Sequence, residues 1–529
     1  MSDADTADAF TPPAARVLRR FWSVLSGPAG PGGYDLARFV VLRALGFVYL
    51  IAFWVAVDQL VPLVGERGLT PAATYLPLFG DGDAHAWWEN PTLFWFDVSD
   101  HALLVVAWSG LLLSAAVVAG VTHGGVMLLL WTLYLSIDHV GQRWYQFGWE
   151  TQLLETGLLV VFWCPWRTLR PFPPRSPAGA VPAWLLRWLA IRIMLGAGLI
   201  KLRGDPCWTA LTCLDYHFET QPIPGPLSRF FHQLPHGVHA TGVVFNHVAE
   251  LVAPWFLFGP RRVRHIAAVV VIGFQVTLIV SGNLAFLNWL TIVPCLACLD
   301  DGVWRRVLPR RLWRALDDPD RAERPPRGSR IAAWVYAAVV VWLSLPVVAN
   351  LIGRGQSMNR SYDRFHIVNT YGAFGSVHEE RWELVIEGTD DETPDDDADW
   401  RAYALPCQPG DPGRRPCSIT PYHRRLDWLM WFAALEVEFR GGLAREDWIL
   451  HLVYQLLAGE PQIRELLSHD PFDGAGPRWI RVVAYRYRFS EDGDAWWGRD
   501  YLGVVVPPQS LNSPQLLQFL QVRGYVGET

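Results

Sequence analysis

The sequence predicts a polytopic α-helical membrane bundle followed by a soluble, β-rich α+β domain. Hydrophobic residues make up 51% of the 529 residues and charged residues only 18%, a balance too apolar for a soluble protein of this size. Long apolar segments fill the first two thirds of the chain, and the last third changes to shorter strand-like and helix-like patterns. The net charge of -6 and the lack of a basic stripe outside the membrane loops give no sign of a nucleic-acid partner.

About nine apolar segments predict membrane-spanning helices, although several are short for a crossing of ~20 residues. They lie near 39–57, 102–121, 124–138, 151–166, 181–200, 242–259, 265–281, 284–300 and 331–352. The two segments on either side of Gly282 could instead form one re-entrant hairpin. We therefore expect a bundle of about nine spans over residues 37–355.

Arginine clusters follow alternate apolar segments, which places them on one common side under the positive-inside rule. The N-terminal segment 1–36 belongs to that cytoplasmic side. The opposite loops, 64–101 and 201–240, then face outward, and residues 356–529 form an extracytoplasmic domain. The clusters contain Arg16, Arg19, Arg20, Arg167, Arg170, Arg175, Arg261, Arg262, Arg264, Arg305, Arg306, Arg310, Arg311, Arg314, Arg321, Arg324 and Arg327.

The C-terminal third carries alternating and helical patterns. Alternation predicts strands at 382–387 and 479–489, and helical spacing predicts helices at 426–437 and 448–457. The acidic run 389–399 predicts an exposed loop. A group of aromatic side chains in this domain either contacts a hydrophobic partner surface or forms ordinary core; they are Trp428, Trp431, Phe432 and Tyr454.

The segment 194–224 leaves an apolar helix at Lys201 and continues into a loop rich in charged and aromatic residues. Lys201 either reaches the membrane interface from a helix end or faces a polar cavity as a general base. Charges within apolar segments, such as Arg192 and Glu250, should face inward and pair, either as structural ion pairs or in a functional site. The candidate residues are Arg192, Lys201, Arg203, Asp205, Trp208, Asp215, His217, Glu219, His247 and Glu250.

Two close cysteine pairs predict disulfides, because both fall on the outward, oxidising side. These are Cys207 with Cys213 and Cys407 with Cys417. Cys295 and Cys298 lie in an apolar segment and are expected to be packed free thiols. Asp215 and the histidines of the 201–240 loop, which are His217, His232, His236 and His239, lack the paired spacing of a zinc motif. We interpret these histidines as scattered and solvated, and expect no metal and no cofactor.

Two regions resemble the lipase maturation factor family. The first is GAGLIKLRGDPCWTALTCLDYHFETQPIPGPLSRFFHQLP, and the second comprises IVNTYGAFGSV, RWELVIEGT, CQPGDPGRRPCSITPYHRRLDWLMWFAALE and YRYRFS. The resemblance covers most of residues 40–507. It implies a multi-pass protein of the endoplasmic reticulum membrane, in contact with membrane lipid, that helps secreted lipase-like clients mature and has no established enzyme chemistry. In a bacterium the equivalent location is the inner membrane, with the tail in the periplasm.

A shorter block, residues 197–208, is similar to the segment of the vitamin K-dependent gamma-carboxylases, members of the HTTM membrane scaffold, that holds their catalytic lysine. That similarity implies a general-base role for Lys201 in a carboxylase-like cavity. Three functions therefore remain open: a maturation or folding factor, a membrane enzyme that uses Lys201, and a lipid-handling or transport protein.

Overall fold

The computed structural model describes residues 33–167, 169, 180–314, 327–491 and 495–526. A helical bundle extends to residue 352, and a domain built on a four-stranded sheet follows. Nearly all of the predicted N-terminal segment 1–36 lies outside the described residues. Seven arginines of the predicted clusters also lie outside the described residues: Arg16, Arg19, Arg20, Arg170, Arg175, Arg321 and Arg324.

Helices occupy all nine predicted apolar segments. In chain order they are α1 (Asp35–Val64), α2 (Asp100–Ala119), α3 (Gly124–Val140), α4 (Gly148–Val161), α5 (Ala180–Gly204), α6 (His236–His247), α7 (Arg261–Ser281), α8 (Leu287–Leu296) and α9 (Arg327–Ile352). A π-helical turn, Val248–Val252, and a 3-10 turn, Ala253–Phe258, extend α6.

Six of these helices are long and apolar enough to cross a membrane: α1, α2, α5, α6 with its extension, α7 and α9. The other three, α3, α4 and α8, have 17, 14 and 10 residues. A full crossing takes ~20 residues, so these three are short for a straight span. The helical membrane domain is confirmed, whereas nine full crossings stay a prediction, and the ten-residue α8 leaves the re-entrant alternative at Gly282 open.

Close helix packing in the bundle depends on small residues. A side chain at Gly110 of α2 would overlap the ring of Phe53 in α1, and one at Gly46 of α1 would overlap Val117 in α2. Small residues let membrane helices approach closely, where van der Waals packing is the main source of association energy. The glycines therefore set the α1–α2 contact, which lies in the main core.

The C-terminal domain is an antiparallel sheet in the order β2-β1-β3-β4. Its strands are β1 (Arg381–Thr389), β2 (Arg401–Ala402), β3 (Trp479–Phe489) and β4 (Trp497–Gln509), and its longer helices are α10 (Arg425–Arg440), α11 (Trp448–Leu457) and α12 (Pro514–Val522). Val385 of β1 pairs with Val483 of β3, which in turn pairs with Val504 of β4. The two predicted strands and two predicted helices are thus present, and the acidic run between β1 and β2 is exposed.

Short helices connect these elements, at Ala72–Tyr75, Leu76–Phe79, Ala84–Glu89, Leu93–Trp95, Gln142–Tyr145, Pro206–Ala210, Leu214–Thr220, Ser228–His232, Asp301–Val307, Arg310–Arg314 and Pro461–Arg464. Several belong to the loops that meet the C-terminal domain. The Arg381 guanidinium donates to the Gln221 carbonyl (2.5 Å) and the Pro222 carbonyl (3.1 Å). The Asn283 side-chain oxygen accepts from the backbone N–H of Ile419 at 3.0 Å. The sheet domain is therefore docked on one end of the bundle.

Candidate functional site

A cavity of ≈ 480 Å³ lies between the bundle and the C-terminal domain. Helices α4 to α8, the connection 358–378 and α10 all contribute to its wall. Most lining side chains are apolar or aromatic, and the polar ones among them are Gln152, Lys201, His217, His239, Asn246, Glu250, Gln275, Thr277, Ser281, Asn288, Thr291, Asn359, Ser376 and His378. A small-molecule pocket typically has about this size and this mixture of an apolar wall with few polar groups.

Lys201 is the most polar feature of this wall. Its Nζ lies 2.6 Å from Oε1 of Glu250 and 2.9 Å from Oδ1 of Asn246. Asn246 in turn donates from Nδ2 to Oε2 of Glu250 at 3.1 Å. Lys201 is 4% exposed and Glu250 is 3% exposed. Burying either charge alone would be costly, so the triangle keeps both ionic groups hydrogen-bonded inside the protein.

The helix that carries Glu250 is irregular at that residue. Asn246 lies in the last turn of the regular part of α6, which ends at His247, and Glu250 lies in the π-helical turn Val248–Val252. The four-residue spacing brings both side chains to one face of the helix, toward Lys201. π-helical turns inside helices occur frequently at functional sites, because they change which side chains share a face.

Trp208 covers Lys201 from the side of the 201–240 loop. Its ring centroid lies 4.9 Å from Nζ, a cation–π distance. The indole Nε1 donates to the Phe374 carbonyl at 3.0 Å, and the Trp208 carbonyl lies 3.0 Å from Nε2 of His247. The neighbouring Cys207 forms the predicted disulfide with Cys213. These contacts hold the loop over the lysine.

Arg203 and Asp205 lie outside the lining of the cavity. Asp205 accepts from the Cys207 N–H at 2.9 Å and so caps a short helix, and its other oxygen accepts from the Val377 N–H at 3.2 Å. Arg203 donates to the Gln356 side chain at 2.7 Å. Both residues therefore tie the connection between the domains to the end of α5.

The interpretation of solvated histidines is wrong for two of the four. His217 is 7% exposed and packs against Phe374 of the connection between the domains, and His239 is 4% exposed with Nε2 2.8 Å from the Phe231 carbonyl of its own loop. His239 lies 2.8 Å from Asp215, which also contacts His236 at 2.9 Å. Burial, with a smaller contribution from Lys201, lowers the pKa of His217 to about 4. Within the described ranges, no group of three or more His, Cys, Asp or Glu side chains could hold a metal ion.

Arg192 and Glu219 connect the two domains and do not line the cavity. Arg192 forms a buried ion pair with Glu155 and donates to the Asn369 carbonyl at 2.9 Å. Glu219 accepts from the backbone N–H of Phe489, at the end of β3, at 2.5 Å. Burial raises the pKa of the Glu219 carboxyl. Their surroundings are those of structural contacts.

The cavity gathers four of the ten candidate residues, namely Lys201, Trp208, His217 and Glu250. Sequence reasoning missed Asn246 and Gln152. The position of Asn246 four residues before Glu250 was an available signal, since residues at that spacing share a helix face. Of the aromatic group of the tail, Trp428, Trp431 and Phe432 line the cavity and Tyr454 does not; Trp428 is 5% exposed and Phe432 is 37% exposed.

Family comparisons match both parts of the chain. The family described as lipase maturation factor transmembrane domain matches residues 36–306. The family described as lipase maturation factor C-terminal domain matches residues 367–507. The cavity lies between these two matched regions.

Individual relatives extend over nearly the whole chain. Human lipase maturation factor 1 is 44% identical over 533 residues, covering 94% of this chain and 93% of its own length. The mouse protein of the same name is 45% identical, with coverage of 93% and 90%. Rat lipase maturation factor 2 is 29% identical, with coverage of 91% and 84%. No solved structure matches the chain significantly.

Proposed function

Because the chain belongs to the lipase maturation factor family, we propose that it is a membrane-embedded maturation factor for secreted lipase-like client proteins. One observation carries the proposal: the similarity extends over 94% of the chain and includes both the bundle and the sheet domain. A shared membrane scaffold alone would leave the C-terminal region unmatched. The proposal includes the class of client, which we infer to be a lipase because the relatives are named lipase maturation factors.

The proposal includes an outward-facing C-terminal domain, and the two ends of α1 support it. At the first end, the backbone N–H of Leu36 donates to the Asp301 carboxylate. The neighbouring Asp300 pairs with Arg261, which belongs to one of the arginine clusters. At the other end, Gln59 donates to the His423 carbonyl of the sheet domain at 2.7 Å. The 30 residues of α1 span about 45 Å, enough to separate the two membrane surfaces. Arginine clusters favour the cytoplasm, so the sheet domain would face the lumen or periplasm.

The two disulfides fit the same orientation. Cys207–Cys213 lies in the outward loop and Cys407–Cys417 in the sheet domain. Disulfides persist in oxidising compartments such as the endoplasmic reticulum lumen and the periplasm. We therefore propose the endoplasmic reticulum membrane as the location in a eukaryotic host and the inner membrane in a bacterial one.

A deletion experiment in the host tests the proposed function. With the gene removed, we expect each client lipase to lose enzymatic activity per unit of secreted antigen, while its mRNA and an unrelated secreted enzyme stay constant. Reintroduction of the full chain should restore the activity. If every exported lipase keeps its specific activity in the deletion strain, the protein is not a lipase maturation factor.

A second candidate function is a membrane enzyme that uses Lys201 as a general base. The observation that favours it is the position of Lys201 in the wall of a cavity, beside a carboxylate that could exchange protons with it. The first candidate needs only the structural ion pair, whereas this one needs the amine itself. The double substitution described in the Discussion separates the two.

A further inference from the structure

The 64–101 loop, which joins α1 to α2, exposes two large aromatic side chains. Trp88, in the short helix Ala84–Glu89, is 56% exposed, and Phe96 is 80% exposed. The ring of Trp87 lies 4.9 Å from that of Phe96, so the aromatic residues of the loop are close together. Clustered apolar side chains at a surface mark a site of contact with a partner or a membrane.

The loop packs against α3 before that helix ends. The Thr92 hydroxyl donates to the Ser136 carbonyl at 3.0 Å, and the backbone N–H of Leu93 donates to the Ser136 hydroxyl at 3.1 Å. Ser136 lies one turn before Val140, the last residue of α3, which is about 6 Å along the helix axis. This part of the loop therefore lies beside the body of a bundle helix and not beyond its end.

Contacts within the bundle relate this level to α1, which is long and apolar enough to cross a membrane. Tyr134, two residues before the loop contact on α3, has its ring centroid 5.4 Å from that of Phe53 in α1. The next residue of α1, Trp54, is 49% exposed, and Asp58 one turn later is exposed as well. Exposed tryptophans of membrane helices are enriched where the acyl chains meet the head groups. The loop segment on α3 lies near this level.

The charged groups beside Trp88 suit the same level. The guanidinium carbon of Arg364 lies 5.2 Å from the centre of the Trp88 ring, and Arg364 also pairs with Glu89. The Arg364 and Glu89 side chains are 37% and 35% exposed. Such half-exposed charges would be costly among acyl chains, whereas the head-group region hydrates them. The aromatic rings therefore suit the boundary region and not the centre of a bilayer.

The exposed aromatic residues adjoin the lipid-facing side of α2. This helix begins at Asp100, four residues after Phe96, and is long and apolar enough to cross a membrane. Large apolar side chains exposed on it are Val105, Trp108, Leu112 and Val118. Gln462 of the sheet domain donates to Asp100 at 3.0 Å, so the loop lies at the end of the bundle that the sheet domain contacts.

We propose that the 64–101 loop is an interfacial membrane anchor, with Trp88 and Phe96 inserted between the head groups and the acyl chains of the leaflet nearest the sheet domain. Aromatic rings are enriched at this depth in membrane proteins. The partner is a zwitterionic phospholipid surface, because the loop holds one arginine against six carboxylates and an anionic surface would repel it. This contact depends neither on the lipase-maturation proposal nor on the compartment that the sheet domain faces.

Fluorescence quenching of the full-length protein in phosphatidylcholine nanodiscs tests the contact. Phe96→Cys is labelled with bimane, and the lipid carries bromine either just below the head group or near the ends of its chains. We expect the label to lose most of its fluorescence with the shallow bromines and less with the deep ones. The native free cysteines Cys164, Cys295 and Cys298 are buried and give little background.

Two control positions bracket the expected depth. Leu112, 65% exposed on α2 and about 18 Å along that helix from Asp100, should be quenched more by the deep bromines when it is labelled as Leu112→Cys. Asp396, whose side chain is 99% exposed in the acidic loop, should be quenched as Asp396→Cys by aqueous iodide and by neither lipid.

Trp88→Cys gives a second label within the proposed anchor, and gel filtration checks that each labelled variant is folded. Iodide quenching without lipid quenching at both anchor positions would show that this surface faces water. Protection from iodide and from both lipids would show that protein covers it, either a client or a second copy of the chain. Either result would overturn the membrane anchor, as would stronger quenching by the deep bromines.

Discussion

Arg425, the first residue of α10, forms an ion pair with Glu150 of α4, with 2.8 Å between Nη1 and Oε1 and both side chains 0% exposed. The hydroxyl of Tyr134 donates to the same carboxylate, and the ring of Tyr145 lies 3.4 Å from the guanidinium carbon. The pair connects the sheet domain to the bundle inside the protein. A buried ion pair needs additional hydrogen bonds for support, and here Tyr134 donates to the carboxylate and Arg425 Nη1 donates to the Trp144 carbonyl, while Nε and Nη2 of Arg425 have no hydrogen-bond partner among the described residues.

Removing the guanidinium should therefore weaken the contact between the sheet domain and the helical bundle. Arg425→Met leaves Glu150 buried without its cation, and we expect a loss of roughly 3–5 kcal/mol in the free energy of unfolding. For a domain of this size that corresponds to roughly 10 °C in Tm. Thermal unfolding of the detergent-solubilised protein, followed by tryptophan fluorescence, measures the change.

Arg440→Met is the matched control on the same helix. Arg440 is half-exposed and lies 3.9 Å from Glu436, so its loss should cost less than about 1 kcal/mol. Adding Glu150→Gln to Arg425→Met should recover part of the lost stability, because no uncompensated charge then remains. Equal Tm values for the two single variants would show that the buried pair does not stabilise the domain contact.

The pair between Lys201 and Glu250 separates a structural role from a catalytic one. Lys201→Met alone should destabilise the protein by roughly 3–5 kcal/mol, because it leaves a buried carboxylate without its partner. Lys201→Met with Glu250→Gln removes both charges and should recover most of the stability. We expect this double variant to retain lipase maturation in the deletion strain.

Expression level, Tm and lipase activity per unit of secreted antigen are measured for both the single and the double variant. A double variant that folds like the wild type but supports no maturation would indicate that the ionisable pair acts beyond its structural role, in favour of the enzyme. Retained activity would exclude Lys201 as a general base.

The sidedness of the membrane domain can be tested with two single cysteines. Asp396, whose side chain is 99% exposed, lies in the acidic loop of the sheet domain, and Val307, 66% exposed, follows the eighth helix beside an arginine cluster. In sealed cells or right-side-out vesicles, a membrane-impermeant maleimide should label Asp396→Cys from the extracytoplasmic face and leave Val307→Cys unlabelled until the membrane is opened. The native free cysteines Cys164, Cys295 and Cys298 are buried and give little background. The reverse pattern would invert the proposed orientation.

The Cys407–Cys417 disulfide should stabilise the loop that contacts the bundle. The bond closes a loop with a sequence separation of 10, and the Cys417 carbonyl accepts from Asn283 at 2.9 Å. Replacing both cysteines by alanine should cost about 2–4 kcal/mol. The Tm of the double variant should therefore fall below that of the oxidised wild type, and an unchanged Tm would contradict the prediction. Cys295→Ala is the control, because it removes a buried cysteine that forms no disulfide.

His217 should make the protein less stable in mild acid. Its pKa is lowered from 6.5 to about 4, so between those values the unfolded chain binds a proton and the folded protein does not. The contribution of neutral His217 to the free energy of unfolding is fully present above pH 6.5. It is lost as the pH falls toward 4, by up to about 1.4 kcal/mol per pH unit.

His217→Phe keeps an aromatic ring against Phe374 and removes the titration. Tm measured from pH 8 to pH 5 should fall less steeply for this variant than for the wild type. Other groups oppose the trend, since burial raises the pKa of Asp427 to about 6, so the comparison of slopes is the readout. Parallel curves for the two proteins would contradict the prediction.

Much of the fold was predictable because local patterns encode it. Apolar length predicted the helices of the bundle, and alternation predicted β1 and β3. The two disulfides followed from the close spacing of the cysteines in the sequence. Helix length was harder, since apolar composition alone does not distinguish a short buried helix such as α8 from a full span.

The sequence by itself determined that charges such as Arg192 and Glu250 had to face inward and pair, because an isolated charge in an apolar segment is too costly. It did not determine the partners. The pairs Lys201–Glu250 and Arg425–Glu150 join residues far apart in the chain, and His217 is buried against Phe374 of the connection between the domains. Only the tertiary structure decided these contacts and the cavity, because both arise from the docking of two domains. The hydrophobic periodicity of a single helix or strand carries no information about that docking.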